Sequence, residues 1–375
     1  MWKIILLILS IVIISCKETT IDPPEDTNQQ HVGITPGCVP GTVNHAITPR
    51  VISVACVTRD SKYAFISGSD YESVRFLYDL ENRKLYNLHL LDTTIDGYTI
   101  TYFNKISNCP YNSKLVAAIV YAEKDTIDAS GNKTVLKEYR IAFYNVNEKQ
   151  FVFLNNQPFL YTQTNSSYQF LFLQPFQWMN YSSLNNDYFY IGNNEVLHLQ
   201  SNTKSKIQNV KGSIMALSND GNFVISNERI DNSIIFYLNN VKINQIEDKD
   251  NYIQAEYIRP VFSPDNRFFV QHDNNLLNIR DSLYMKYPFA DKTVIIDIQK
   301  SITEKKVVPN KIFYNYFDFC SAYQSYFATF SSNYNFYVTH TQRWQGFTYR
   351  HGNLYEVSTD GKIVRSFDLE NTEVE

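Results

Sequence analysis

The residues of this chain that could do chemistry are few and far apart, and the first of them is Cys16. It follows Met1-Trp2-Lys3, an apolar run from Ile4 to Leu9, and the tripeptide Ile13-Ile14-Ser15. One cation, a short greasy core and a small residue just before a cysteine make a secretory signal. The apolar stretch is shorter than the roughly 20 residues a membrane-spanning helix needs, so residues 1–15 read as a signal and not as a transmembrane anchor. The seven histidines stand at 31, 45, 89, 198, 272, 340 and 351, with no close pair at metal-ligand spacing. No nucleophile elbow, H-E-x-x-H helix, Walker loop or dinucleotide fingerprint occurs. The sequence therefore assigns no catalytic residue, no metal and no cofactor. Cys38, Cys56, Cys109 and Cys320 remain besides Cys16. Four thiols in an oxidising compartment allow three disulfide pairings. A chain this long also folds without them, and bridges and buried thiols both stay open.

What must position any such residues is a β structure. The chain has 375 residues, with 28 Tyr and 25 Phe against only 12 Gly and 12 Pro. Tyr, Phe, Ile, Val and Thr favour pleated, half-buried surfaces, and abundant Asn suits the turns between strands. Net charge is −4, only 19% of residues are charged, and no basic block occurs. Nucleic acid is thereby excluded as a charge-driven partner, and so are anionic membrane surfaces. Lys17 to about His31 is polar, holds the pair Pro23-Pro24 and lacks periodicity, which suits a tether. The division expected is a signal over 1–15, Cys16 and a flexible tether over 16–45, and a folded part over 46–375. Its length suits one closed β architecture as well as two ordinary domains.

From about Val51 a pattern recurs: a short apolar strand, a Ser/Asp/Asn turn, then a more aromatic strand. Val54–Val57 runs into Thr58-Arg59-Asp60-Ser61-Lys62 and then Tyr63–Ser67. Lys105–Cys109 precedes Leu115–Val120, Ile214–Leu217 precedes Phe223–Ser226, and Pro260–Phe262 precedes Phe268–Gln271. Weaker copies lie near Phe176–Ile191 and Phe317–Thr329. A further strand closes each unit, as at Val74–Leu80, Arg140–Val146, Ile234–Leu238, Thr293–Ile298 and Leu354–Val357. About six units of roughly 40–60 residues, each with several strands, are the mark of a propeller.

Two resemblances sharpen this reading. Ile13-Ile14-Ser15-Cys16 resembles the lipobox of bacterial lipoproteins, with Ile13 where that family most often has Leu. The resemblance implies cleavage before Cys16, lipidation of its sulfur and attachment to a membrane of the cell envelope, with the leaflet left open. Ser263-Pro264-Asp265-Asn266-Arg267-Phe268 resembles the S-P-D-G-x-x turn of TolB-like and WD40-like β-propeller repeats, with Asn266 in place of glycine. Ser218-Asn219-Asp220-Gly221-Asn222-Phe223 is similar, and Thr58–Tyr63 is a more distant copy. The implied fold is all-β, a single propeller of six blades with seven as the alternative count. A pair of β-sandwiches is the rival.

In such a propeller the loops after each second strand share one face with the loops leading into each blade. That face would carry Asp70, Arg229, His272, His340, Arg343 and Trp344, and Arg259 would stand at the channel mouth. Arg259 lies in register with the aliphatic Val54, Ile106 and Ile214, and a guanidinium there suits an anion or carboxylate; an internal ion pair is the plainer alternative. Aromatics mixed with a few charges suit recognition, so a protein, peptide or glycan is the expected ligand. The contrasting reading is a hydrolase or lyase using convergent carboxylates or histidines on that face.

Overall fold

The computed structural model describes residues 53–67, 74–88, 94–153, 159–161, 176–181, 186–247, 260–273, 291–315, 321–323, 328–330, 334–344, 347–360 and 362–369. These residues are almost wholly antiparallel β structure, arranged as six successive meanders. The first comprises β1 (Ser53–Val57), β2 (Tyr63–Ser67), β3 (Val74–Asp79) and β4 (Lys84–Asn87). After the short β5 (Thr94–Ile95), the second comprises β6 (Tyr98–Asn108), β7 (Leu115–Ile127), β8 (Lys133–Asn145) and an outer strand in two pieces, β9 (Gln150–Val152) and β10 (Phe159–Tyr161). The third is β11 (Gln177–Tyr181), β12 (Asn186–Gly192), β13 (Glu195–His198) and β14 (Thr203–Lys206). The fourth is β15 (Ser213–Leu217), β16 (Val224–Ile230), β17 (Ser233–Leu238) and β18 (Val241–Glu247).

The fifth unit has β19 (Val261–Phe262), β20 (Phe268–Asp273), β21 (Asp291–Asp297), a helix α1 (Ile298–Glu304) and β22 (Pro309–Asn315). The sixth has a split inner strand, β23 (Ser321–Tyr323) and β24 (Ala328–Phe330), followed by β25 (Phe336–Trp344), β26 (Phe347–Val357) and β27 (Ile363–Asp368). Units three to six are separate sheets. The first two are joined by a single bridge, Val74 opposite Phe103.

Six apolar seams hold the units face to face. Cys56, Phe65 and Leu77 of unit one pack with Phe103, Val120 and Tyr144 of unit two. Ile141 and Phe143 meet Trp178, Phe189 and Leu197 of unit three, and Tyr190 and Val196 meet Ile214 and Leu217 of unit four. Phe236, Leu238 and Ile243 face Phe262, Phe269 and Ile296, then Val270 and Ile295 face Phe336 and Val338. The last seam joins Tyr337, Leu354 and Phe367 of unit six to Val54, Ile66 and Tyr78 of unit one. The ring is therefore closed, and the fold is a β-propeller with the inner strands next to one another, β24 beside β1 and β1 beside β6. Each fully buried large apolar side chain contributes about 1.5–3 kcal/mol to such seams. Among the described strands none crosses from one end of the chain into the sheet at the other end; the described contacts between the first and last units are those of the side chains in their shared seam.

The repeated turn sets the phase of the units. Thr58 Oγ1 donates to Asp60 Oδ1 at 2.7 Å and accepts from Tyr63 N at 3.1 Å. Ser218 and Ser263 repeat this, donating at 2.6 Å to Asp220 and Asp265 while accepting from Phe223 N at 2.9 Å and Phe268 N at 3.0 Å. The fourth residue of each turn is left-handed: Ser61 at φ 58°, Gly221 at 71° and Asn266 at 57°. Asn and Gly tolerate that region, as the sequence pattern anticipates. The third strand ends on a second recurrent device. Asp79 Oδ1 takes the N–H groups of Glu81 and Asn82 at 3.0 and 2.8 Å, and Asn145 Oδ1 takes those of Asn147 and Glu148 at 3.1 and 3.2 Å.

Asp297 does the same and thereby starts α1, accepting from Lys300 N at 2.9 Å. This corrects the expected strand Thr293–Ile298, because the capping carboxylate ends it one residue early and Ile298 begins the helix.

Candidate ligand-binding face

In units one, four and five the second strand runs away from the Ser/Thr-Asp turn, and the antiparallel meander repeats that direction in the other units, so the C-terminal ends of second strands share one edge of the ring. Arg229 lies near the end of β16, opposite Ile234, and His272 near the end of β20, opposite Thr293. His340, Arg343 and Trp344 occupy the same end of β25, where His340 faces Asn353 and Trp344 faces Phe347. A register shift between Gln342 and Trp344 puts Arg343 out of the ladder with β26, although it pairs Ala322 of β23. The topology thus gathers five expected residues from three units on one edge. Asp70 and Arg259 lie outside the described residues, as do the side chains of His272, His340, Arg343 and Trp344. Cys16, Cys38 and Cys320 lie outside them as well.

On the same edge unit two rises above its neighbours. β7 and β8 pair without a break from Leu115↔Asn145 to Ile127↔Lys133, whereas β6 stops pairing β7 at Thr99↔Glu123. Beyond Glu123 the two strands continue alone as a ribbon, closed by a turn in which Asp128 Oδ1 takes the N–H groups of Ser130 and Asn132, each at 2.8 Å. Those bonds hold the Asp128 carboxyl below its ordinary pKa.

Two clusters stiffen the base of the ribbon, one on each face. On one face Arg140 sits over the rings of Tyr98, at 4.2 Å, and Phe159, at 5.4 Å. Its Nε donates to Glu138 Oε2 at 2.8 Å and its Nη2 donates to the Tyr98 hydroxyl at 2.7 Å. Loss of water pushes the Tyr98 phenol up; Arg140 opposes that shift and Glu138 reinforces it. On the other face Tyr102 stacks on Tyr121 with centroids 5.0 Å apart, and its hydroxyl lies 2.9 Å from that of Tyr139. Arg140 already has an internal carboxylate and two rings, so it braces the ribbon.

Of the cysteines, Cys56 and Cys109 are among the described residues, and both are buried thiols outside any disulfide. Cys56 donates to Asn108 Oδ1 at 2.9 Å across the first seam, and burial pushes its thiol far above the ordinary value. A thiolate is required for nucleophilic attack, and this environment suppresses it. Trp178 is inter-unit core, fully buried against Phe143 and Phe189. Among the described residues no group of three or more His, Cys, Asp or Glu side chains is arranged to hold a metal ion, and no helix is long and apolar enough to cross a membrane.

Sequence reasoning missed the ribbon as a feature of the face. The signal was present in the alternation of Glu123-Lys124-Asp125-Thr126-Ile127 and Lys133-Thr134-Val135-Leu136-Lys137 around the turn Asp128–Asn132.

No family model matches this chain, and no curated protein does. Solved structures similar to it include the C-terminal WD40 domain of Sif2, at 8% identity over 82% of this chain and 95% of that one, with a TM-score of 0.36. A putative TolB from Agrobacterium tumefaciens is similar at 11% identity over 87% of each chain, with a TM-score of 0.28. The β-propeller domain of the Trilobed protease from Pyrococcus furiosus is similar at 13% identity over 74% of this chain and 72% of that one, with a TM-score of 0.30. The propeller assignment rests on the meanders and apolar seams of the described residues themselves.

Proposed function

We propose that this chain is a lipid-anchored envelope protein whose propeller captures a protein, peptide or glycan without chemistry of its own. Attachment would run through Cys16 and the polar tether that follows it. Capture would use the edge where the second strands end. What supports this reading is the backbone position of Arg229, His272, His340, Arg343 and Trp344 near the ends of the second strands of units four, five and six, on the edge from which the ribbon of unit two also projects. Such a mix of aromatic and cationic groups on a rigid scaffold suits recognition.

The anchoring half is tested by feeding cells an alkynyl fatty acid. The wild-type chain takes the label and sediments with membranes, and Cys16→Ala does neither; label retained by Cys16→Ala defeats it. The capture half is tested on glycan and peptide arrays. Ligands retained by the wild type are lost, or bound at least about tenfold more weakly, by Trp344→Ala or Arg229→Ala. Unchanged binding in both variants rejects the face.

A further inference from the structure

The seam between units five and six gathers histidines that the sequence keeps far apart. On the unit-five side of that seam pack Phe268 and Val270 of β20 and Ile295 of β21. Successive strand residues alternate between the two faces of a sheet, and the β20–β21 ladder is unbroken from Phe268↔Asp297 to Asp273↔Lys292. The same face therefore continues to position 272, a histidine opposite Thr293, and to Asp291, two residues before Thr293. On the unit-six side pack Phe336 and Val338 of β25 and Tyr355 and Val357 of β26. Their ladder runs without a shift from Phe336↔Val357 to Gln342↔His351, so that face continues to His340, opposite Asn353, and to His351.

The heights match as well. Phe269 and Phe336 each pair with the last residue of an inner strand, Phe262 and Phe330. His272 stands three residues past the first of these and His340 four past the second, so the two differ by one residue in height. His351 is the diagonal neighbour of His340 across the β25–β26 ladder, a spacing of about 7–8 Å that long side chains bridge. Asp291 and His351 lie one step higher, on the third strands. Three of the seven histidines and one carboxylate thus share the facing sides of one seam. Their backbones are among the described residues and their side chains lie outside them.

A separate observation concerns Thr293. It is only 2% exposed, and its Oγ1 has no hydrogen-bond partner among the described residues. Leaving a buried hydroxyl unpaired is costly. A metal-bound imidazole donates its other ring N–H to a nearby acceptor, and Thr293 stands directly opposite His272. Facing sheets pack about 10 Å apart, a gap that two imidazoles fill with an ion between them, about 2.0–2.1 Å from each nitrogen.

We infer that His272, His340, His351 and Asp291 bind one zinc-class divalent ion between units five and six. Imidazole with carboxylate suits zinc, whereas calcium and magnesium take oxygen donors. Four protein ligands make a closed, structural site, so the ion clamps the two units and adds no chemistry. The inference goes beyond the capture proposed above and turns two residues of that edge, His272 and His340, from ligand contacts into metal ligands.

The test is calorimetric titration of the full chain in detergent, stripped with EDTA, with zinc chloride. The wild type takes up one ion with a dissociation constant tighter than micromolar. His340→Ala and His351→Ala each weaken binding at least about a hundredfold and Thr293→Val about tenfold, while His198→Ala in unit three leaves it unchanged. His340→Cys retains a ligand. Loaded with cobalt(II), it shows a thiolate-to-metal charge-transfer band that the wild type lacks, a gain that misfolding cannot mimic. No zinc binding at millimolar concentration, or wild-type affinity in either histidine-to-alanine variant, overturns the inference. If array ligands depend on Trp344 and Arg229 while zinc does not bind, the capture face stands and the metal site alone falls. If zinc binds as expected while the arrays stay empty, the capture reading falls and the metal site stands.

Discussion

Replacing Arg365 with methionine should loosen the ring where its two ends meet. Glu356 is only 2% exposed in its side chain, and its carboxylate accepts from Arg365 Nε and, at 2.6 Å, from Asn335 Nδ2. Arg365 Nη2 also donates to the Tyr337 hydroxyl at 3.1 Å. That hydroxyl hydrogen-bonds Ser61 of unit one, and burial is the chief cause pushing it up to about 12. The network therefore ties unit six to the first turn of unit one, beside the seam of Val54, Tyr78, Leu354 and Phe367. Removing one partner of a buried ion pair costs about 3–5 kcal/mol. Arg365 is 38% exposed, so solvent screens part of that, and about 2–3 kcal/mol is the expected loss.

Methionine keeps the aliphatic stem, so the loss is electrostatic. Glu356→Gln should cost about 1 kcal/mol, since a neutral amide still pairs with Asn335 and the cation can turn to water. The double variant should lose no more than Arg365→Met alone, because the stranded charge is gone. Urea unfolding gives the energies. Hydrogen exchange gives the location, with faster exchange in β1 and β25 and none added in the seam between units three and four. A stability of Arg365→Met within about 0.5 kcal/mol of wild type, or strict additivity in the double variant, would refute this account of the latch.

Gly212 has φ +69°, and a Cβ there would collide with the carbonyl of Asn227, so Gly212→Ala should cost more than about 1 kcal/mol in urea unfolding. At Asp220, burial pushes the carboxyl up, but hydrogen bonds from Ser218 and Asn222 outweigh it and leave the pKa below its ordinary value. A depressed folded pKa gives stability that is present above the unfolded pKa and lost as pH falls below about 4. Acid titration of stability should therefore be shallower in Asp220→Asn than in the wild type, and identical curves would contradict this. Cys56 and Cys109 should resist iodoacetamide at pH 8 in the native protein and react once it is unfolded, as mass spectrometry can show; rapid native alkylation of Cys56 would contradict its burial.

The turns were legible in the sequence because their chemistry is local. Ser218, Asp220 and Gly221 each answer a backbone need within six residues, and so do Ser263, Asp265 and Asn266. What joins the units was not legible. Cys56 meets Asn108 across 52 residues, and Ser107 accepts from Trp178 N at 2.8 Å across 71, with no local pattern to announce either. The apolar run Thr293–Ile298 reads as strand throughout, and only the cap at Asp297 tells where it stops. The ribbon's alternation shows two paired strands but not that β6 leaves them at Thr99, which depends on where a third strand ends. On the proposed face the direction of the second strands follows from the meander, which is why the sequence places Arg229, His272, His340, Arg343 and Trp344 on one edge, while their side-chain arrangement depends on contacts that no local pattern encodes.

Tyr78 and Phe367 stand 289 positions apart, yet their rings lie edge-to-face with centroids 5.9 Å apart. In a deuterated sample with protons only on Phe and Tyr rings, a nuclear Overhauser contact should join these two and vanish in Phe367→Leu. Its absence, in a protein where Phe143 and Phe189 still show theirs, would mean that the first and last sheets do not meet and that the circle is open.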